Sequence, residues 1–174
     1  LLTDRESNWD KKINISISWT KPPTGWYKLN IDGAFDKAKA SGGIGGIIRN
    51  HHGDWMIGYA SKITPKTPIH AELMALHLGL IIANKRKLLP LEIETDATQV
   101  ISFINNGCKA YDTIINSYRL LLARMDQVVL HHNFRQGSEV AHNLAKHAEI
   151  LPAFNKMDVW SSPPPFVLAR MLAD

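Results

Sequence analysis

A single cysteine, Cys108, is present in the 174-residue chain, so no internal disulfide can form and the composition fits a reducing intracellular compartment, nuclear or cytoplasmic. Cys108 follows Asn105-Asn106-Gly107, a helix-end signal, and reads as a bystander, not a nucleophile. No run of about eighteen apolar residues occurs, which excludes a spanning helix; the longest candidate, Leu73 to Ala83, is interrupted by His77 and Gly79. There is no signal-peptide pattern and no initiator methionine, and the opening Leu1-Leu2-Thr3-Asp4-Arg5 is expected to be a cut from a longer, multidomain chain. Long blocks of one charge are also missing. The net charge of +4 permits a polyanionic partner without demonstrating one. The densest cationic stretch, Lys85-Arg86-Lys87, falls where a helix would end and where cations complement its dipole.

Hydrophobic residues make up 45% of the sequence, too many for a disordered chain and enough for a core that needs no staples. One domain over residues 26–150 is expected. A leader or linker over 1–25 precedes it, and a proline-rich tail over 151–174 follows. The tail carries Pro163-Pro164-Pro165 and is expected to run extended, with Trp160 and Phe166 docking on the domain.

Alternation of apolar and polar residues predicts a strand over Trp26–Asp32, with Leu29 and Ile31 on one face and Lys28, Asn30 and Asp32 on the other. Gly42 to Arg49 and Trp55 to Ala60, separated by the turn residues Asn50 to Asp54, complete a three-stranded meander. The glycines of the second strand lack the strand–loop–helix context of a phosphate-binding loop and predict close backbone approach instead. A helix opens at Pro68 and runs to about Lys85. Leu91–Asp96 is a strand, residues 97–106 and 112–126 are helices, Val128–Phe134 is a fifth strand, and Glu139–Ile150 is a last helix. The order βββαβααβα predicts a mixed sheet covered by helices on both faces.

Two of these strands close on aspartate, Asp32 and Asp96, in matching parity. If the strands are parallel neighbours, both carboxylates project together at the edge where open α/β sheets place ligands. Glu72 is the one acid between Asp54 and Glu92, in an otherwise apolar helix. Singly, each has an ordinary explanation: turn chemistry for the aspartates, helix N-terminal electrostatics of about 0.3–1 kcal/mol for Glu72. Together, three converging carboxylates would repel one another and call for divalent cations. All-oxygen ligation suits Mg²⁺ or Mn²⁺, and two such ions would serve phosphodiester hydrolysis. No zinc spacing is present.

Five segments in order resemble the type 1 ribonuclease H fold, and more closely the plant ribonuclease H-like domains akin to the C-terminal domain of non-LTR retrotransposon polyproteins. They are Pro22 to Ala34 (PPTGWYKLNIDGA), Gly42 to Gly46 with Arg49, Ala71 to Leu76 (AELMAL), Glu94-Thr95-Asp96, and His132 to Arg135 with Ala141 to Lys146. The resemblance implies a five-stranded mixed sheet of order 3-2-1-4-5 with helices on both faces. It implies metal ligation by Asp32, Glu72 and Asp96, two Mg²⁺ or Mn²⁺ ions, and endonucleolytic hydrolysis of the RNA strand of an RNA–DNA hybrid. His132 aligns with a histidine that assists product departure, and Gly33 and Ala34 fall where the backbone meets the hybrid's minor groove. A monomer without a membrane partner is implied. Two positions depart from the pattern: the family's fourth acid falls on His142, and the asparagine four residues before it is Ser138. A neutral histidine is a poor substitute for a carboxylate around a hard cation, so turnover is expected to be reduced or lost, leaving a nucleic-acid-binding module. The basic handle of some bacterial relatives is not evident, which implies weak binding by the isolated domain.

Overall fold

The computed structural model describes residues 18–133 and 139–173. Six strands and five helices alternate through it: β1 (Tyr27–Asp36), β2 (Ser41–Arg49), β3 (Trp55–Ile63), α1 (Pro68–Arg86), β4 (Leu91–Thr95), α2 (Thr98–Asn106), α3 (Asp112–Leu122), β5 (Val128–His132), α4 (Glu139–Glu149), β6 (Met157–Trp160) and α5 (Pro165–Ala173). A short 3₁₀ turn, Lys109–Tyr111, leads into α3.

The sheet has six strands in the order β5-β4-β1-β2-β3-β6, which corrects the expected five-stranded sheet of order 3-2-1-4-5. The added strand comes from the region read as an extended tail. Met157 and Val159 alternate with Asp158 and Trp160, and the four residues pair antiparallel with β3, Ser61 against Met157 and Gly58 against Trp160. An unpaired β3 would present a long row of free backbone donors and acceptors, which β6 partly covers. Prolines then act as punctuation, with Pro165 at the first position of α5. Pro164 and Val167 are buried, and Phe166 stacks on His147 of α4 at 4.2 Å between ring centroids.

β1 pairs antiparallel with β2 through Asp36↔Ser41, so β1 continues four residues past Asp32, where the alternation suggested an end. Its parallel pairing with β4 is shorter and stops at Asn30↔Glu94. β4 and β5 are also parallel, with Thr95 beside His132. Phe134, the expected end of the fifth strand, lies outside the described residues, as do Arg135, Ser138 and Trp9.

The larger core fills the space between the sheet and α1 to α3, around Leu29, Ile31, Ile48, Tyr59, Leu76, Leu80, Ile93 and Tyr118. A smaller one, Ile47, Val140, Ala141, Leu144 and Val167, joins the opposite face to α4 and α5. The glycines of β2 explain how close α4 lies. A Cβ at Gly43 would come 2.1 Å from the Ala145 carbonyl oxygen, and one at Gly45 would come 2.4 Å from the Ala145 nitrogen. The helix backbone therefore rests directly on the strand, as the close-approach reading of these glycines anticipates. α1 starts cleanly, with Thr67 Oγ1 accepting from the His70 N–H at 3.1 Å and Pro68 next to it. It ends on Lys87 in the left-handed region (φ 59°), preceded by Lys85 and Arg86 in the last turn. No helix among the described residues is long and apolar enough to cross a membrane.

Candidate metal centre

Asp32 sits on β1 just past the last rung that β1 shares with β4. Asp96 is the residue that follows β4. Since β1 and β4 are parallel, these two positions emerge side by side at the same sheet edge. Glu72 reaches the same point from the opposite direction. It is the fifth residue of α1, and the first turn of that helix holds no acid, so dipole electrostatics does not account for it. Each of the three carboxylates offers an oxygen within 4.8 Å of those of the other two. Asp32 and Glu72 are buried, and Asp96 is half-buried.

Contact between α1 and β1 is what brings Glu72 in. A Cβ at Gly33 would lie 2.6 Å from the Ala71 carbonyl carbon and 2.7 Å from the Glu72 nitrogen, so any side chain there would push the helix away. The Gly33 N–H uses this proximity to donate to Glu72 Oε1 at 2.8 Å. The close backbone approach inferred for Gly33 is thus made, in the first instance, by α1. Ala34 is half-buried, and its carbonyl oxygen lies where a Cβ at Gly42 would fall, 2.1 Å away.

Burial is the main reason the Glu72 carboxyl is pushed up to about 9, with the charge of Asp32 adding to it, the Gly33 N–H opposing it, and Asp96 contributing further. At neutral pH the metal-free site therefore keeps a proton on Glu72. Its second oxygen, Oε2, is buried and has no hydrogen-bond partner among the described residues. A buried oxygen with no partner beside two further carboxylates fits a hard divalent cation, which would take the place of the proton, accept oxygen ligands and supply positive charge.

His142, on α4, places Nδ1 2.6 Å from Asp32 Oδ2. The His142 ring thus engages one of the Asp32 oxygens with a nitrogen. The glycine platform of β2, which seats α4 at Leu144 and Ala145, carries His142 to this distance. His132 is exposed at the end of β5, beside Thr95 and hence one residue from Asp96 in register. His51 and His52 lie in the β2–β3 turn, their rings tilted against each other at 4.0 Å between centroids.

A set of polar residues beneath the carboxylates was not singled out by the sequence reading. Glu94 Oε2 accepts from Asn30 Nδ2 at 2.9 Å and from Asn133 Nδ2 at 2.7 Å, while Oε1 is ion-paired with Lys28. Trp19 Nε1 donates to Asn30 Oδ1 at 2.8 Å, and Arg49 lies over the Trp19 ring at 4.4 Å. Lys28, Asn30 and Glu94 are all buried, so the face of β1 that alternation marks as polar is an interior face. The available signal was the spacing: Asn30 precedes Asp32, and Glu94 precedes Asp96, by the same two residues.

Comparison with known proteins bears on the family and the fold. The family model described as reverse transcriptase-like matches residues 30–148, more than half of the chain. A protein of Arabidopsis thaliana, named provisionally as a ribonuclease H protein, is 27% identical over 140 residues; the match covers 79% of this chain and 23% of that protein, so the chain spans about a quarter of the relative's length. Ribonuclease H1 of the archaeon Halobacterium salinarum superposes with a TM-score of 0.62 at 23% identity, covering 71% of this chain and 97% of its own. LC11 ribonuclease H1, solved with an RNA/DNA hybrid, gives a TM-score of 0.62 at 18% identity, covering 70% and 95%. The N-terminal ribonuclease H domain of Rv2228c from Mycobacterium tuberculosis gives 0.63 at 18%, covering 71% and 92%. Identities this low speak for the fold alone, but with the family model spanning β1 to α4 the chain belongs to the reverse transcriptase-like family and carries a ribonuclease H-like fold.

Proposed function

We propose that this domain is a ribonuclease H-like module that binds RNA–DNA hybrid and holds a divalent cation, Mg²⁺ or Mn²⁺, with Asp32, Glu72 and Asp96. Its hydrolysis of the RNA strand is weakened by His142. The observation that carries the reading is the convergence of three carboxylate oxygens within 4.8 Å at the sheet edge, with a histidine nitrogen on Asp32 in the remaining position.

A bound divalent cation would supply Lewis-acid polarisation of the phosphodiester and a water of lowered pKa. The chain's own residues set what can be done with it. Asp32, Glu72 and Asp96 provide the negative charge for one ion. His142 adds none when neutral and engages Asp32 Oδ2, so a second ion meets one carboxylate fewer than a four-acid site offers. That deficit supports binding with slow turnover over full nuclease activity. His132, exposed beside Thr95, is read as assisting a departing strand end, and the Gly33–Ala34 backbone as meeting the minor groove, where 2′-hydroxyl recognition distinguishes RNA from DNA. The domain is read as a monomer within a longer chain, with binding that depends on salt through phosphate contacts.

The test is a labelled hybrid incubated with Mn²⁺ and the parent domain, Asp96→Asn or His142→Asp. Hybrid retention by all three, slow cleavage by the parent, none by Asp96→Asn and faster cleavage by His142→Asp is the expected set. Failure of the parent to retain hybrid at low salt would remove the reading.

A further inference from the structure

The backbone ladder between β1 and β4 ends at Asn30↔Glu94. Asp32 and Asp96 each lie two residues beyond that rung, so no further backbone bond between these strands sets how far apart the two carboxylates stand. What closes the last rung is a side-chain bond, Asn30 Nδ2 to Glu94 Oε2 at 2.9 Å. Its polarity is fixed from both sides. Trp19 Nε1 donates to Asn30 Oδ1 at 2.8 Å, which commits that oxygen and leaves the amide nitrogen for Glu94. Lys28 neutralises the Glu94 carboxylate, and Asn133 adds a second donor to Oε2 at 2.7 Å. Asn133 is itself tied to β4 by its backbone N–H, which donates to the Thr95 carbonyl at 2.8 Å. Every polar atom of Asn30 and Glu94 in this account is matched in a buried setting, where a satisfied network is stiff.

We propose that the Asn30–Glu94 clamp sets the spacing of Asp32 and Asp96, and with it the size of ion the centre accepts, which makes Asn30 and Glu94 positioning residues for cation selectivity. The inference rests on the metal-binding reading above. Mg²⁺ demands ligand distances near 2.0–2.1 Å in rigid octahedral geometry, whereas Ca²⁺ takes about 2.3–2.6 Å and tolerates irregular shells. Strands held closely favour the smaller ion, and strands free to splay favour the larger.

The experiment measures Mg²⁺ and Ca²⁺ affinities by calorimetry, at one pH and salt concentration, for the parent, Asn30→Asp and the double variant Asn30→Asp/Glu94→Gln. Asn30→Asp replaces the amide nitrogen donor by a carboxylate oxygen, keeps the acceptor for Trp19, and sets two carboxylates against each other. Glu94→Gln in that background returns a donor to the pair with reversed polarity and leaves the net charge of the parent. The Mg²⁺/Ca²⁺ affinity ratio is expected to fall about fivefold or more in Asn30→Asp and to return to within about twofold of the parent in the double variant. Equal loss of both affinities, an unchanged ratio, or a double variant as impaired as the single one overturns the clamp while leaving the metal site standing. A parent that binds neither ion overturns the metal reading and the clamp together. Should Asn30→Asp fail to fold, Asn133→Ala at its half-buried position carries the test: a shift toward Ca²⁺ is expected, and an unchanged ratio overturns the proposal.

Discussion

Replacing Glu72 by glutamine tests how far the metal centre and the fold share one proton. Burial and the neighbouring aspartates push the Glu72 carboxyl from 4.5 to about 9. Because the folded state binds this proton more tightly than the unfolded chain, the associated stability is fully present below the unfolded value. It declines as pH rises from about 4.5 toward 9. A cation entering the site must expel that proton. Apparent affinity for Mg²⁺ or Mn²⁺ should therefore rise about tenfold per pH unit up to the Glu72 value, close to a hundredfold across two units. Calorimetry in two buffers of different ionisation enthalpy should count close to one proton released per ion at neutral pH. Thermal melts should show a metal-induced increase in Tm that grows with pH. Glu72→Gln mimics the protonated form: its Tm in the absence of metal should lose most of the decline between neutral and alkaline pH, and its cation affinity should drop. Metal binding without proton release, or a Glu72→Gln variant with the parent's pH dependence, would refute the reasoning.

Three further outcomes are expected. Gly45→Val would drive a side chain into the α4 backbone, 2.4 Å from the Ala145 nitrogen, and should lower stability by about 3 kcal/mol or more in chemical denaturation, displacing His142 from Asp32. Tyr59→Phe removes the hydroxyl that donates to the Ala75 carbonyl at 2.6 Å in the core and should cost about 1–2 kcal/mol, with hybrid retention unchanged in a gel shift. Gly33→Ala should separate α1 from β1, break the Gly33–Glu72 bond and reduce cation affinity at least about tenfold, read by calorimetry on protein still folded by circular dichroism.

The six-strand sheet, the buried polar face and the site each had a different visibility in the sequence. Strand and helix existence followed from local rules: alternation in β1 and β4, proline at the start of α1, and a glycine after α2. β6 did not, because four residues beside three prolines carry too little pattern to stand alone. Their pairing is decided by the open edge of β3, which the chain reaches only after folding. Alternation marks one face of β1 as polar and leaves its burial undecided. That face is interior because Lys28 and Asn30 of β1, Glu94 of β4 and Asn133, the residue after β5, satisfy one another only in the assembled sheet.

Residue identity alone determined which carboxylates were available and which strands and helices would carry them. Tertiary structure alone decided that Asp32, Glu72 and Asp96 meet within 4.8 Å, that burial pushes the Glu72 carboxyl up, and that His142 takes up an Asp32 oxygen. The physical reason is that charge repulsion, burial and hydrogen bonding act through distances in space. Those distances were set by glycines that let α1 and α4 lie directly against the sheet.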